Sequence, residues 1–217
     1  MSAARRLRLL DWARQAGSWI IEDDYDSEYR YGSKPVASLQ GIDTASRVIY
    51  IGTFSKVLFP SLRVGYVVIP PDLVDYFVSL RHTMDVSPPH LYQAVLADFI
   101  SEGHFSRHIR RMRALYAEKR CILVDSLRAE FGSFVNVLGD SAGMHVAVKL
   151  PDGFNDQELS TRAAREKLWL WPLSSCYITN PADDGFILGF GSTTAAEIPR
   201  AVHHLRVLIE GTRNSGL

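Results

Sequence analysis

The chain has 217 residues, 47% hydrophobic and 22% charged, with equal numbers of acidic and basic side chains. That is enough chain for one or two compact domains of ordinary globular composition. A formal net charge of zero excludes a whole-chain electrostatic pull toward nucleic acid or an anionic membrane surface.

In chain order, residues 2–16 have the periodicity of an amphipathic helix, with Ser2 as N-cap, Leu7, Leu10 and Ala13 on the apolar stripe, and Gly17 as terminator. Its arginines read as a solvated face. An apolar strand over 18–22 follows and runs into an acidic, tyrosine-rich loop, Glu22-Asp23-Asp24-Tyr25-Asp26-Ser27-Glu28-Tyr29-Arg30-Tyr31. Tyr29 and Tyr31 read as packing aromatics. Residues 32–46 form a connection with turn signals at both ends. Strands over 47–51 and 64–69 bracket a polar segment that holds Thr53, Ser55 and Lys56, then Pro60 and Arg63.

Helices are expected over 72–81, ending in Arg81 and His82, and over 89–102, opened by Ser87-Pro-Pro-His90 and punctuated by Gly103. His82 has no visible catalytic partner and is read as structural. A long helix then carries His104, Arg107, His108, Arg110, Arg111 and Arg113. Phe105, Ile109, Met112, Leu115, Ile122, Leu123 and Leu127 recur on it at near-helical spacing. Those arginines fit the charged face of a helix better than a nucleic-acid surface, given the balanced charge. Gly132 ends the helix. A hairpin of strands 134–138 and 144–150 turns through 139–143. A helix over 155–167 is capped by Asn155, and short strands lie at 169–172 and 186–190. Thr193 or Thr194 caps a last helix over 195–211, and the tail from Asn214 is expected to fray.

Chemistry concentrates around Lys56. In an α/β sheet, ligands bind beyond the carboxyl ends of the strands, where this sequence places a lysine, two hydroxyls and an arginine. A lysine amine forms Schiff bases with aldehydes, and hydroxyls with a guanidinium fork suit a phosphate. Pyridoxal 5′-phosphate (PLP) has both groups. Taken alone, the spacing also fits a polar turn with a solvated lysine and arginine. The upstream acidic strand end favours the ligand: a carboxylate keeps a pyridine nitrogen protonated, and a tyrosine can hydrogen-bond the phenolic oxygen.

The two motifs, Glu-Asp-Asp-Tyr-Asp-Ser-Glu-Tyr-Arg-Tyr and Gly-Thr-Phe-Ser-Lys-x6-Arg-x-Gly-Tyr, resemble the fold-type I aminotransferase-like domain of MocR-type regulators, members of the GntR superfamily of bacterial transcription factors. The resemblance runs through essentially the whole chain. It implies an α/β fold: part of a PLP-dependent transferase domain with a mostly parallel sheet, plus a small α+β C-terminal domain. By that likeness 1–103 is the C-terminal part of the large domain, 104–131 a linking helix and 132–217 the small domain. Lys56 would be the internal aldimine lysine, Asp23 the partner of the pyridine nitrogen and Tyr25 that of the phenolic oxygen. Thr53, Ser55 and Arg63 would bind the phosphate. The resemblance also implies a homodimer, an amine or amino-acid ligand, and DNA contact only through an upstream winged helix-turn-helix that these residues do not contain.

Two departures stand out. Amino-acid aminotransferases usually hold the substrate carboxylate with an arginine on a late strand, where this chain reads Gly185-Phe-Ile-Leu-Gly-Phe190, with Ile187 near the expected place. The first half of the large domain is also missing, so the chain looks like a C-terminal fragment whose sheet exposes an unpaired edge and apolar faces. Three functions are compatible: a ligand-sensing effector domain, an aminotransferase, or an inactive remnant. Cys121 and Cys176 form no metal pattern, no metal is expected, no run approaches the ~18–20 apolar residues of a membrane span, and no signal peptide is visible. The chain is expected in the cytoplasm.

Overall fold

The computed structural model describes residues 1–32, 36–85, 90–139, 141–179 and 183–215. These divide into two units, 1–28 with 36–109 and 29–32 with 110–215.

In the first unit, helix α1 (Ala3–Ala16) starts where the Ser2 hydroxyl accepts the Arg5 N–H, and it stops at Gly17, which takes the left-handed conformation (φ 63°). Strand β1 (Ile20–Asp24) pairs in parallel with β2 (Val48–Thr53), and β2 pairs antiparallel with β3 (Gly65–Val68), in the order β1-β2-β3. The strand expected over 18–22 therefore begins later and runs through the acidic residues to Asp24. Ladder pairing with Val48–Gly52 holds those carboxylates in the strand despite their low β-propensity. Ile20, Glu22 and Asp24 share one face with Val48, Tyr50 and Gly52, and Ile21 and Asp23 share the other with Ile49 and Ile51.

Ala13 of α1 packs on the first face with Ile20, Val48 and Leu39. The connection over 32–46, with 33–35 outside the described residues, contains a helix that the turn signals did not reveal: α2 (Leu39–Ile42). Glu22 explains it, because its carboxylate accepts the Leu39 and Gln40 N–H groups at 2.8 and 3.0 Å. The orphan donors of the helix start are thus satisfied by a side chain 17 residues earlier.

A 3-10 turn (Pro71–Leu73) leads into α3 (Val74–Asp85), which continues four residues past the expected end. Helix α4 (His90–Ser101) follows, and Ser87 to Pro89 of its expected opening lie outside the described residues. No strand pairs with the outer edge of β1 or β3 among the described residues. Tyr66, Val67 and Val68 of β3 are exposed, as are Tyr76, Leu80, Leu91 and Tyr92 of α3 and α4. This is the open edge and apolar surface expected from the sequence.

Helix α5 (His104–Phe131) begins after Gly103 (φ 74°) and ends at Gly132 (φ 55°). Its Arg107, Arg110, Arg111 and Arg113 are exposed, while Leu123, Val124 and Leu127 are buried. In the second unit, β4 (Asn136–Leu138), β5 (His145–Lys149), β6 (Trp171–Pro172) and β7 (Gly185–Gly189) form an antiparallel sheet ordered β4-β5-β7-β6. Val146 and Val148 lie beside Leu188 and Phe186 on one face of it, and all four side chains are buried. Helices α6 (Asp156–Arg165) and α7 (Ile198–Ser215) complete this unit.

Asn155 caps α6 as expected, its side chain accepting the Glu158 N–H. Helix α7 starts later than residue 195, because Thr194 first closes a turn by donating its N–H and hydroxyl to Glu197. It runs through Asn214 and Ser215, and Gly216 and Leu217 lie outside the described residues.

The hairpin turn over 139–143, apart from Asp140, which lies outside the described residues, does more than reverse the chain. Gly143 N–H donates to the Tyr29 carbonyl at 2.7 Å, Tyr31 N–H to the Ser141 carbonyl at 3.0 Å and the Tyr31 hydroxyl to the Gly143 carbonyl at 2.9 Å. Tyr29 and Tyr31 are indeed packing aromatics, against Tyr116 and Phe190 respectively.

Asp156 is 1% exposed, yet it is fully engaged. Its carboxylate accepts the Ser174 N–H and hydroxyl at 2.8 and 2.5 Å and the Gly185 N–H at 3.0 Å. Gly185 is required in turn, since a Cβ there would stand 2.0 Å from the Val148 carbonyl oxygen. Two outcomes are expected in urea unfolding. Asp156→Ala leaves two buried N–H groups without an acceptor and should cost about 2–5 kcal/mol. Gly185→Ala should cost at least as much, because backbone rather than a side chain must yield.

Candidate functional site

Because β1 and β2 run parallel and in register, their carboxyl ends leave the sheet at the same edge. Asp23 stands beside Ile51, and Tyr25 follows directly; Thr53, Ser55 and Lys56 emerge next to them. Strand β3 runs the other way, with Gly65 opposite Thr53, so Arg63 enters the sheet at that same edge. All six residues singled out from the sequence thus lie at one end of one three-stranded sheet.

The lysine turn is built locally. Thr53 Oγ1 accepts the Ser55 N–H at 3.1 Å, Phe54 N–H donates to the Val64 carbonyl at 3.0 Å, and Leu58 N–H returns to the Phe54 carbonyl at 2.8 Å. Val57 is buried while its neighbour Lys56 is exposed, so the turn is anchored on one side of the lysine and open on the other. A 3-10 turn over Pro60–Leu62 follows and ends at Arg63, whose φ of 50° and ψ of 35° place a non-glycine residue in the left-handed region. Such a conformation costs on the order of 1 kcal/mol and persists where surrounding structure imposes it. Here that conformation joins the 3-10 turn to β3 at the edge where β2 ends. Neither Lys56 nor Arg63 has an ion-pair partner among the described residues. No group of three or more metal-ligating side chains occurs among them either.

Asp23 and Tyr25 are both exposed. The Asp26 carboxylate, partial burial and the Asp23 carboxylate together raise the Tyr25 phenol above its ordinary range. Tyr25 is therefore a hydrogen-bond donor at neutral pH. An amine, two hydroxyls, a guanidinium, a carboxylate and a phenol make a donor set that fits an aromatic aldehyde carrying a phosphate. An open groove of about 1050 Å³ meets this set at Thr53 and Arg63 and continues along Tyr66, Phe77 and Arg81. Asp23, Tyr25 and Lys56 do not line the groove. The candidate site is therefore the sheet edge rather than the groove.

Several contributors were not legible beforehand. His108 Nε2 donates to the Val57 carbonyl at 2.8 Å, next to Lys56. It shares the stripe of Phe105 and Ile109 on α5, a spacing that could have distinguished it from the solvated arginines. Asp24 turns away from Asp23 and accepts hydrogen bonds from Ser27 and from Tyr50. Gly52 leaves room for the Tyr66 ring, which would be 2.3 Å from a Cβ at that position. In the second unit Ile187, near which amino-acid aminotransferases usually carry an arginine, sits on β7 between Ala147 and Trp171.

With this architecture described, comparison with known proteins is direct. The sequence matches the family described as aminotransferase class I and II over residues 2–205, and the chain belongs to that family. It is 40% identical over 211 residues to the probable rhizopine catabolism regulatory protein MocR of Rhizobium meliloti, covering 97% of this chain and 43% of that protein. Among solved structures it resembles the multiple substrate aminotransferase of Thermococcus profundus, with a TM-score of 0.90 at 27% identity, over 99% of this chain and 53% of that one. The α-aminoadipate aminotransferase LysN of Thermus thermophilus, solved with N-(5'-phosphopyridoxyl)-L-leucine, superposes with a TM-score of 0.87 at 28% identity, over 97% of this chain and 55% of that one. The chain thus spans about half the length of the relatives it matches.

Gly52→Ala should expel the Tyr66 ring from its place over β2. Because Tyr66 is part-exposed and can swing outward, the fold should survive with a loss of about 1–2 kcal/mol. A thermal melt and the near-ultraviolet circular dichroism of the tyrosines would register both effects.

Proposed function

We propose that this chain is the PLP-binding, aminotransferase-like effector part of a MocR/GntR-type transcriptional regulator, which senses an amine or amino acid. The observation that carries the reading is the sheet edge. A lysine amine and an arginine guanidinium, neither with an ion-pair partner among the described residues, belong to the same edge at which a carboxylate and a phenol leave the neighbouring parallel strand. Forty per cent identity to a MocR regulator across nearly the whole chain supports the regulator over the enzyme. So does the segment 185–190, which has no arginine near Ile187, where the resemblance to amino-acid aminotransferases would place a carboxylate-binding cation.

Bound PLP supplies an aldehyde that takes up primary amines and a ring that accepts electron density while its nitrogen is protonated. In this proposal Lys56 provides the amine that holds it. Asp23 keeps the proton on the ring nitrogen, and Tyr25 donates to the phenolic oxygen. Arg63, Thr53 and Ser55 hold the phosphate, Arg63 through a charge-assisted fork. The first unit then corresponds to the C-terminal part of a large cofactor domain, α5 to a linking helix and the second unit to a small domain. In the regulator reading the protein works as a cytoplasmic homodimer, and DNA is met by a separate upstream domain.

Incubation with PLP, borohydride reduction and peptide mapping should place a phosphopyridoxyl group on Lys56, and Lys56→Ala should abolish both the label and the visible absorbance band. Arg63→Ala should weaken PLP binding about 10- to 100-fold, as expected for loss of a charge-assisted bond to phosphate. No lysine-dependent band would overturn the assignment. Sustained amino transfer to a keto acid would replace the sensor with the aminotransferase.

A further inference from the structure

The acidic run that ends β1 contains two adjacent carboxylates with opposite fates. Asp23 lies on the sheet face shared with Ile51, and Asp24 lies on the other, beside Gly52. The Asp24 carboxylate accepts the Tyr50 hydroxyl at 2.8 Å, the Ser27 hydroxyl at 2.7 Å and the Ser27 N–H at 3.2 Å. The last two bonds close a loop around Tyr25 and Asp26. The first ties that loop to β2, six residues before Lys56 in the same strand and turn.

Tyr50 is itself held. Its ring is 6.0 Å from that of Tyr66, and the Tyr66 ring lies over Gly52 and 5.5 Å from Phe54, within the lysine turn. Burial, followed by hydrogen bonds with Asp24 and Tyr66, pushes the Tyr50 phenol far above its ordinary range, so it stays a donor at every physiological pH. This phenol–carboxylate bond joins residues 26 apart in sequence.

The geometry points to Asp24 and Tyr50 as positioning residues for the cofactor: they hold the loop that carries Tyr25 at a fixed distance from the Lys56 turn, so that the Tyr25 hydroxyl meets the phenolic oxygen of PLP. This rests on the function proposed above. Neither residue needs to touch the cofactor. Asp24 faces away from the side on which Asp23 stands, and its three bonds are all to protein groups.

The test is a spectral pH titration of the full chain with PLP, comparing the native sequence with Tyr25→Phe and Tyr50→Phe, with melting temperatures recorded for each. A phenol that donates to the phenolic oxygen stabilises its deprotonated form and lowers the pH at which the Lys56-dependent visible band fades. Tyr25→Phe should raise that midpoint by about one pH unit. Tyr50→Phe should raise it in the same direction by a smaller amount, which a purely structural role would not do. If Tyr50→Phe does not fold, Asp24→Asn, which keeps one acceptor oxygen, is read in its place with the same expectation. A shifted Tyr25→Phe midpoint with native Tyr50→Phe and Asp24→Asn midpoints overturns the positioning role and leaves the proposed function standing. A lysine-dependent band whose midpoint does not respond to Tyr25→Phe also overturns the positioning role. No such band in the native chain overturns the proposed function and the positioning role together.

Discussion

The parallel pairing of β1 with β2 is the constraint on which the rest of the first unit depends. Five residues of β1 face five of β2 in a single register, Ile20 with Val48 through Asp24 with Gly52. A slip of one residue would exchange the two faces of β1. It would send Asp23 toward Tyr50 and Asp24 to the opposite side, and Glu22 would lose the N–H groups of α2. In the observed register Ile20 and Val48 share the face covered by Ala13 and Leu39. Because Ile21 could take the place of Ile20 after a slip, the bonds from Glu22 to α2 are what distinguish the two registers.

From that register the grouping of the candidate residues follows. Parallel strands deliver their carboxyl ends to one edge, and the antiparallel β3 brings its amino end to the same place. Asp23 and Tyr25 at the end of β1, Thr53, Ser55 and Lys56 at the end of β2 and Arg63 ahead of β3 therefore share one sheet edge although they span residues 23–63. The local turns add direction. The buried Val57, held through its carbonyl by His108, leaves Lys56 exposed, and the left-handed backbone at Arg63 leads the chain into β3 at the same edge.

The second unit shows the same economy around one buried carboxylate. Asp156 joins the start of α6 to the segment after β6 and to the start of β7 through three hydrogen bonds. A buried charge is tolerable only when its lone pairs are occupied, and here Ser174 and Gly185 occupy them. Gly185 also has to be glycine for an independent reason, the close approach of the Val148 carbonyl. One residue serves the sheet and the polar centre at once.

Much of this was legible in the linear sequence. Ser2, Gly17, Asn155, Gly103 and Gly132 set helix ends through bonds and backbone angles that involve only near neighbours, so periodicity and capping chemistry located α1, α5 and α6. The motif around Lys56 and the acidic run before it named the six candidate residues for the same reason, since each motif is contiguous. What the sequence could not determine is whatever depends on partners distant along the chain. The continuation of β1 to Asp24, the existence of α2, the divergence of Asp23 and Asp24, the bond from Tyr50 and the anchoring of Val57 by His108 all rest on contacts between residues 17 to 51 apart. Local propensity argues against an acidic strand end and a four-residue helix. Only the tertiary structure, through ladder pairing and through side chains that satisfy backbone donors across the fold, supplies the free energy that overrules it.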